Sequence, residues 1–453
     1  MLAAAVAAGH PATVAAGIEI LEDGGSAADA AVAACLASCV AETVMTGLLG
    51  GGHAIHWDGR EAVNLDCFVT VPTGSGGEPV DLAVPFGEEV VHYAVGAGTC
   101  GVPGLPAGLG SLWERYGRLP WPRLVEPALA LARSGVTMPP AHAACLAMLE
   151  SVFTLSPEGK AIYAPGGRLL ESGDVLAQPG LAATLEALAA EGAGSVYRGS
   201  LADALLGIAG VGVTRDDLIG YEPLWSEPLT AELAGHELLT RGGLAGIAES
   251  LERLPRLGGL DEPDRVLALL AALEGAGADG HTTNLAVVDG DGHACVVTTS
   301  LGLGTGDFLP GYDLHLNSML GEVDLHHVPL VGGARMESMM APSLAFDGAG
   351  LALAIGAAGG TRLRTALVGV AAAVLDEGLE PTDAVERPRV HPVAQTVHAE
   401  PGVSEEALSR LEAQGRTVRR WPALHHYFGG VSLVGRAGAA GDPRRSGHAA
   451  RPR

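Results

Sequence analysis

The spacing of apolar and polar positions changes several times along the chain. From Pro11 to Val40 the pattern is alanine-rich and helical, broken at Gly24-Gly25, with Ser26 placed to cap the next helix. The opening "MLAAAVAAG" runs straight into that helical pattern. "TGLLGGGHAIHWDGREAVNLDCF" switches to glycine and then to short alternating strands. Around "YGRLPW" two helices are expected, and helices continue to about Gly210. Thr214 opens a further helix, with Asp216 and Asp217 in its first turn. Residues 235–281 carry the weakest pattern, although "DRVLALLAALEG" reads as helix and "GAGADGH" has the composition of an exposed loop. After Thr282 the pattern turns to period two, and "TTNLAVVD", "GDG" and "HACVVTTS" predict strand, turn, strand. "GLALAIGAAGGTRLRTALVGVAAAVL" predicts strand, glycine turn, helix. This order suits layered sheets covered by helices.

Composition narrows the class. With 453 residues, 48% of them hydrophobic, the chain exceeds an ordinary single domain, so one large domain or two joined halves is expected. Sixty-six Gly and only 4% aromatics imply many turns and close packing of small residues. A net charge of −25 argues against nucleic acid and anionic membrane as partners. No apolar run reaches membrane-spanning length and no basic signal-peptide region opens the chain, so a cytoplasmic protein is expected. The six cysteines have no metal or redox spacing and read as small core residues. His326-His327 and His425-His426 lack carboxylate or thiolate neighbours at ligand spacing, so neither a metal nor any other cofactor is expected.

Three stretches carry candidate chemistry. "GLGTGD" at 302–307 resembles a dinucleotide loop, but Pro310 stands where a helix must begin. "GAAGGTR" lies between a strand and a helix. Its Gly359 and Gly360 N–H groups either face an anion or simply belong to a turn needing positive φ. Thr282 has two readings as well. It is a strand-edge threonine, or the chain is cut before it and its freed α-amino group serves as base for its own hydroxyl.

A resemblance favours the second reading. "DGHTTNLAVVDGDG" resembles the processing segment of the γ-glutamyltransferase (γ-glutamyltranspeptidase) family of N-terminal nucleophile hydrolases. "AAGHPATVAAGIEILEDGGSAADAAVAA", "GLLGGGHAIHWDG", "GVPGLPAGLGSLWERYGRLPW", "GVTRDDLIGY", "MAPSLAF" and "GAAGGTRL" resemble further family segments in the same order, over nearly the whole chain. The resemblance implies an α+β fold, the four-layer αββα sandwich. It implies cleavage between His281 and Thr282 into segments 1–281 and 282–453 that stay intertwined as large and small subunits. Thr282 would be the nucleophile of a self-processing amidohydrolase or acyltransferase. Ser300, or Thr299 in a shifted register, would support its amino group, and Gly359 and Gly360 would form the oxyanion hole. Ser338, Asn317 and Ser318 would meet the substrate. The implied partner is a small-molecule amide or peptide, and a homodimer is left open.

The departures from the family all concern the substrate. "LDCFVTVPTGSGG" holds no Arg where the family clamps a carboxylate, and Gly302 stands for an Asn. "LNSMLGE" replaces NN[QE]MDD, and Met339 replaces the second of two serines. Each missing charge-assisted hydrogen bond is worth roughly 1.5–3 kcal/mol, so recognition of a free glutamyl end is expected to be weak. Arg335 and Glu337 are the nearby charges left to serve another substrate. An acylase acting on a non-glutamyl amide and an uncleaved, inactive family member are the alternative readings.

Overall fold

The computed structural model describes residues 2–86, 89–274, 282–322 and 325–453. The whole "GAGADGH" segment, His281 included, lies outside the described residues. The architecture mixes helices with two large antiparallel sheets and several small ones.

The elements that build the site, in chain order, begin with β1 (Ala5–Ala8), α1 (Pro11–Glu22), α2 (Ala27–Ala41), β2 (Gly51–Trp57) and β3 (Ala62–Cys67). Next come α3 (Leu105–Tyr116), α4 (Trp121–Ser134), α5 (Pro179–Glu191), β4 (Leu224–Ser226), β5 (Leu229–Leu233) and β6 (His236–Thr240). Then follow α6 (Ile247–Arg253), α7 (Glu262–Leu273), β7 (Thr283–Val288), β8 (Ala294–Ser300), β9 (Ser343–Asp347) and β10 (Gly350–Ala358). The set closes with α8 (Arg362–Leu375), β11 (Gly430–Gly435), β12 (Gly438–Gly441) and β13 (His448–Ala450). One seven-stranded sheet runs β13-β1-β7-β8-β2-β3-β4, and a six-stranded sheet runs β12-β11-β10-β9-β6-β5. Strands from before and after Thr282 interleave: β1 lies between β13 and β7, and the pair β7-β8 lies between β1 and β2.

The two sheets share an apolar cluster that includes Ile55, Ala286, Val288, Val296, Leu344, Ala354 and Val434. The opposite face of the seven-stranded sheet packs on α1 to α5, and that of the six-stranded sheet on α6 to α8. Both faces of each central strand are therefore covered. That explains why every residue of β7 and β8 is buried although "TTNLAVV" reads as alternating. Helix α2 is buried along its whole length, which an almost pure run of Ala and other small residues permits. Its start is fixed as expected: Ser26 and Asp29 form a reciprocal capping box. Thr214 and Asp217 do the same further on. All six cysteines are free and buried.

Three stretches are defined by pairing. Ala5–Ala8, which precedes the predicted helix, is a strand pairing with Leu285–Val288. The weak stretch holds a strand pairing, His236–Thr240 with Leu229–Leu233 and with Leu344–Phe346. "GLGTGD" leads into two short paired strands, Phe308–Leu309 and Leu314–His315, with no helix there to hold a dinucleotide.

Candidate active site

Thr282 lies one residue before β7, near the middle of the seven-stranded sheet. Register pairs Thr283 with Thr299, so the antiparallel run places Thr282 opposite Ser300. Its side chain is buried, and Gly359 N–H donates to Thr282 Oγ1 at 3.0 Å. Gly359 and Gly360 form the turn from β10 into α8, with φ of 123° and 58°. The turn in "GAAGGTR" has the positive φ that its two glycines permit, and it also brings an N–H to the threonine hydroxyl. A Cβ on Gly359 would lie 2.7 Å from Gly429 Cα.

Two cavities meet at this residue. One, with about 340 Å³ of empty space, is lined by Thr282, Ser300, Ser338 and Gly360 among others. The second, with about 240 Å³, lies behind Thr282 and is lined by Glu42, His142, Thr283, Asn284, Asp442 and Arg445.

The second cavity contains groups that sequence reasoning missed. Glu42 follows α2 directly and is buried, accepting hydrogen bonds from Thr13 Oγ1 at 2.6 Å and from Thr283 Oγ1. Burial pushes its carboxyl up to about 7, against the pull of those two hydroxyls and of Arg445. Arg445 is buried too, and burial lowers its pKa. It donates to Thr282 O at 3.4 Å, to Met45 Sδ at 2.9 Å and to His426 O at 3.4 Å. Its neighbour Arg444 is locked to Glu400 (2.5 Å) and Asp442 (3.2 Å), and Arg389 to Asp442 (2.5 Å), which fixes the turn bearing Arg445. Burial lowers His142 to about 3, so it is neutral. The only local signal was an acidic residue ending a long apolar helix; Arg445 is 403 positions from Glu42 in the chain and gave none.

Glu42 yields a pH-dependent expectation. A folded-state pKa near 7 against an ordinary 4.5 means that stability is highest below pH 4.5 and declines as pH rises towards 7. The decline attributable to this group is roughly 3 kcal/mol. Urea melts of wild type and Glu42→Gln should therefore show the wild type losing ground to the variant across that window. A difference independent of pH would contradict this assignment.

The remaining expected residues separate. Thr299 Oγ1 bonds Thr46 Oγ1 at 2.8 Å, whereas Ser300 faces the larger cavity and its Oγ accepts Gly302 N–H at 3.0 Å. Ser338 lines the same cavity, its Oγ accepting Met340 N–H at 3.2 Å. Asn317 does not fit a substrate role. Its Nδ2 donates to Leu49 O and Gly101 O, both at 2.8 Å, and its Oδ1 accepts Gly101 N–H and Met319 N–H. The amide is saturated by backbone and ties three loops together. Asn317→Ala is expected to cost about 2–4 kcal/mol in thermal or urea melts, by leaving buried backbone groups unpaired. An unchanged melt with a raised KM would overturn this structural reading. Ser318 Oγ accepts Leu303 N–H at 3.1 Å and supports the same turn.

Arg335 is also committed. It donates to Phe68 O, the Tyr221 hydroxyl and Glu222 O, and lies 4.6 Å over the Tyr221 ring. Among the described residues, one group has metal-ligand spacing, Asp289, Asp291 and His293 in the β7–β8 turn. Its carboxylates already serve Ala27, Asp291 and His293 N–H groups and the Arg118 guanidinium, which marks a braced turn. No helix among the described residues is long and apolar enough to cross a membrane.

Known proteins resemble this chain in sequence and in fold. The chain is 27% identical to the acylase ACY 1 proenzyme of Pseudomonas sp. (strain SE83), over 95% of this chain and 89% of that one. It is 25% identical to the glutathione hydrolase proenzyme of Bacillus subtilis (strain 168), over 90% and 84%. The fold matches the crystal structure of cephalosporin acylase from Bacillus halodurans with a TM-score of 0.84 at 23% identity, covering 100% of this chain and 96% of that one. The gamma-glutamyltranspeptidase family model matches residues 13–257 and 262–451, and the chain belongs to that family.

Proposed function

We propose that this protein is a self-processing amidohydrolase or acyltransferase in which cleavage before Thr282 frees an N-terminal threonine nucleophile. The observation that carries this reading is Thr282 itself. It is a buried hydroxyl at the mouth of a central strand, open to a cavity and within 3.0 Å of the Gly359 N–H. Both the acylase and the glutathione hydrolase relatives are named proenzymes, which supports processing. We read the fold as the four-layer αββα sandwich, in support of which the two sheets share a core and carry helices on their outer faces. Segments 1–281 and 282–453 would remain joined after cleavage, because their strands interleave within the seven-stranded sheet.

In this mechanism the α-amino group of Thr282 takes the proton from Oγ1, directly or through a water. Oγ1 attacks the substrate carbonyl carbon. The resulting oxyanion is met by the Gly359 and Gly360 N–H groups. The amine leaves with the proton, and water or an acceptor amine then attacks the threonine ester by the reverse route. The Arg445 guanidinium beside Thr282 disfavours an ammonium there and so keeps the new amino group a free base near neutral pH. Ser300 Oγ lies opposite and would orient that amine.

A covalent test is direct. An acyl-type sulfonyl fluoride should label the processed protein once, at the peptide beginning with Thr282. Labelling elsewhere, with Thr282 unmodified, would contradict the assignment.

A further inference from the structure

We infer that the site takes an uncharged, apolar acyl group, a medium alkanoyl or arylacetyl chain, seated in the larger cavity beside Thr282. The inference rests on the reading of Thr282 as nucleophile and names the substrate class for that same site.

Position comes first. Thr282 and Gly360 both line the cavity, so a carbonyl held at Thr282 sends its acyl chain into this space. The wall there is Phe68, Met319, Leu325, Met339, Met340 and Leu363. Three unbranched thioethers make an adaptable, weakly polar lining that suits hydrocarbon better than a zwitterion. The family's carboxylate clamp is replaced in kind. Phe68 comes from the segment where an Arg was expected, and Met339 stands for a serine.

Charge decides between acyl classes. None of the described residues lining the cavity is basic. Arg445 lines the smaller cavity, and two further guanidinium groups near the larger one hold its wall residues. Arg335 donates to the Phe68 carbonyl and, through its other nitrogens, reaches Glu222 O and Asp66. Arg241 donates to the Ser338 carbonyl at 2.9 Å and lies 3.7 Å from Asp66. Both hold backbone carbonyls of lining residues, and neither lines the acyl space itself. The one acidic residue among the described lining residues, buried Glu322, offers a second carboxylate no cationic partner. A glutamyl or glutaryl carboxylate would thus be desolvated without a cationic partner.

The test is a panel of p-nitroanilides assayed on the full chain, with its cleavage state read by intact mass. Octanoyl and phenylacetyl anilides should exceed the γ-glutamyl and glutaryl anilides by about a hundredfold or more in kcat/KM. Within the alkanoyl series, kcat/KM should rise roughly fourfold per methylene until the cavity fills. Met339→Arg should lower octanoyl turnover at least tenfold and raise glutaryl turnover, while Met339→Leu keeps the apolar preference. A cut protein that prefers a carboxylate-bearing anilide, or that turns over no apolar anilide, overturns the inference and leaves the nucleophile reading standing. An uncut protein inactive on every anilide overturns both.

Discussion

Replacing Thr282 with alanine is expected to reduce amide hydrolysis by at least about a thousandfold, with little change in melting temperature. The hydroxyl is the bond-forming atom and the α-amino group its base, so both chemical functions sit on one residue. Among the described residues its removal costs the hydrogen bond from Gly359 N–H, a neutral bond worth about 1 kcal/mol in stability. Thr282→Ser keeps the hydroxyl but loses the methyl that limits rotation, and should retain measurable turnover. Equal activity in the alanine variant would mean that another group attacks the substrate, and the neighbouring Thr283, whose hydroxyl is spent on Glu42, would not supply it.

The second large effect is expected at the glycine turn. Gly359→Ala would place a Cβ 2.7 Å from Gly429 Cα, at a φ of +123° that side-chain-bearing residues rarely adopt. Relief cannot come from Gly429, whose own added Cβ position is 2.7 Å from Ala358 O. The turn must move, and with it the N–H that meets Thr282 Oγ1. A loss of about 2–4 kcal/mol of stability and a further roughly 10²–10³-fold fall in kcat are expected. Gly378→Ala separates the two contributions. Gly378 has φ of +73° but open space around its Cβ position, so strain of about 1 kcal/mol with unchanged kcat is expected there. Thermal melts and steady-state kinetics on both variants decide the matter; normal kcat in Gly359→Ala would remove the turn from the chemistry.

What could be read from the chain depended on how local the signal was. The Ser26 and Thr214 caps, the hairpin after Thr282 and the strand–glycine–helix unit around Gly359 are each set by a few adjacent residues. Each appears in the structure where the pattern placed it. Ala5–Ala8 gives no strand signal because alanine carries no period, and only its pairing with Leu285–Val288 makes it a strand. His236–Thr240 was missed because its partners lie over a hundred positions away in one direction and across a two-residue turn in the other. The site divides in the same way. Thr282 and the two glycines belong to motifs. Glu42 and Arg445 meet only through the fold, and neither motif nor spacing marks them. Asn317 matched a family position, yet its four backbone hydrogen bonds, invisible in sequence, give it a structural task.

These features converge on one question, whether the chain is cut before Thr282. The most direct measurement is the intact mass of the purified wild-type protein after incubation, beside Thr282→Ala. The expected result is two fragments, 1–281 and 282–453, in the wild type, with one uncut chain of 45.7 kDa in the variant. A single uncut chain in both samples would contradict the N-terminal nucleophile and leave Thr282 as the edge of a strand.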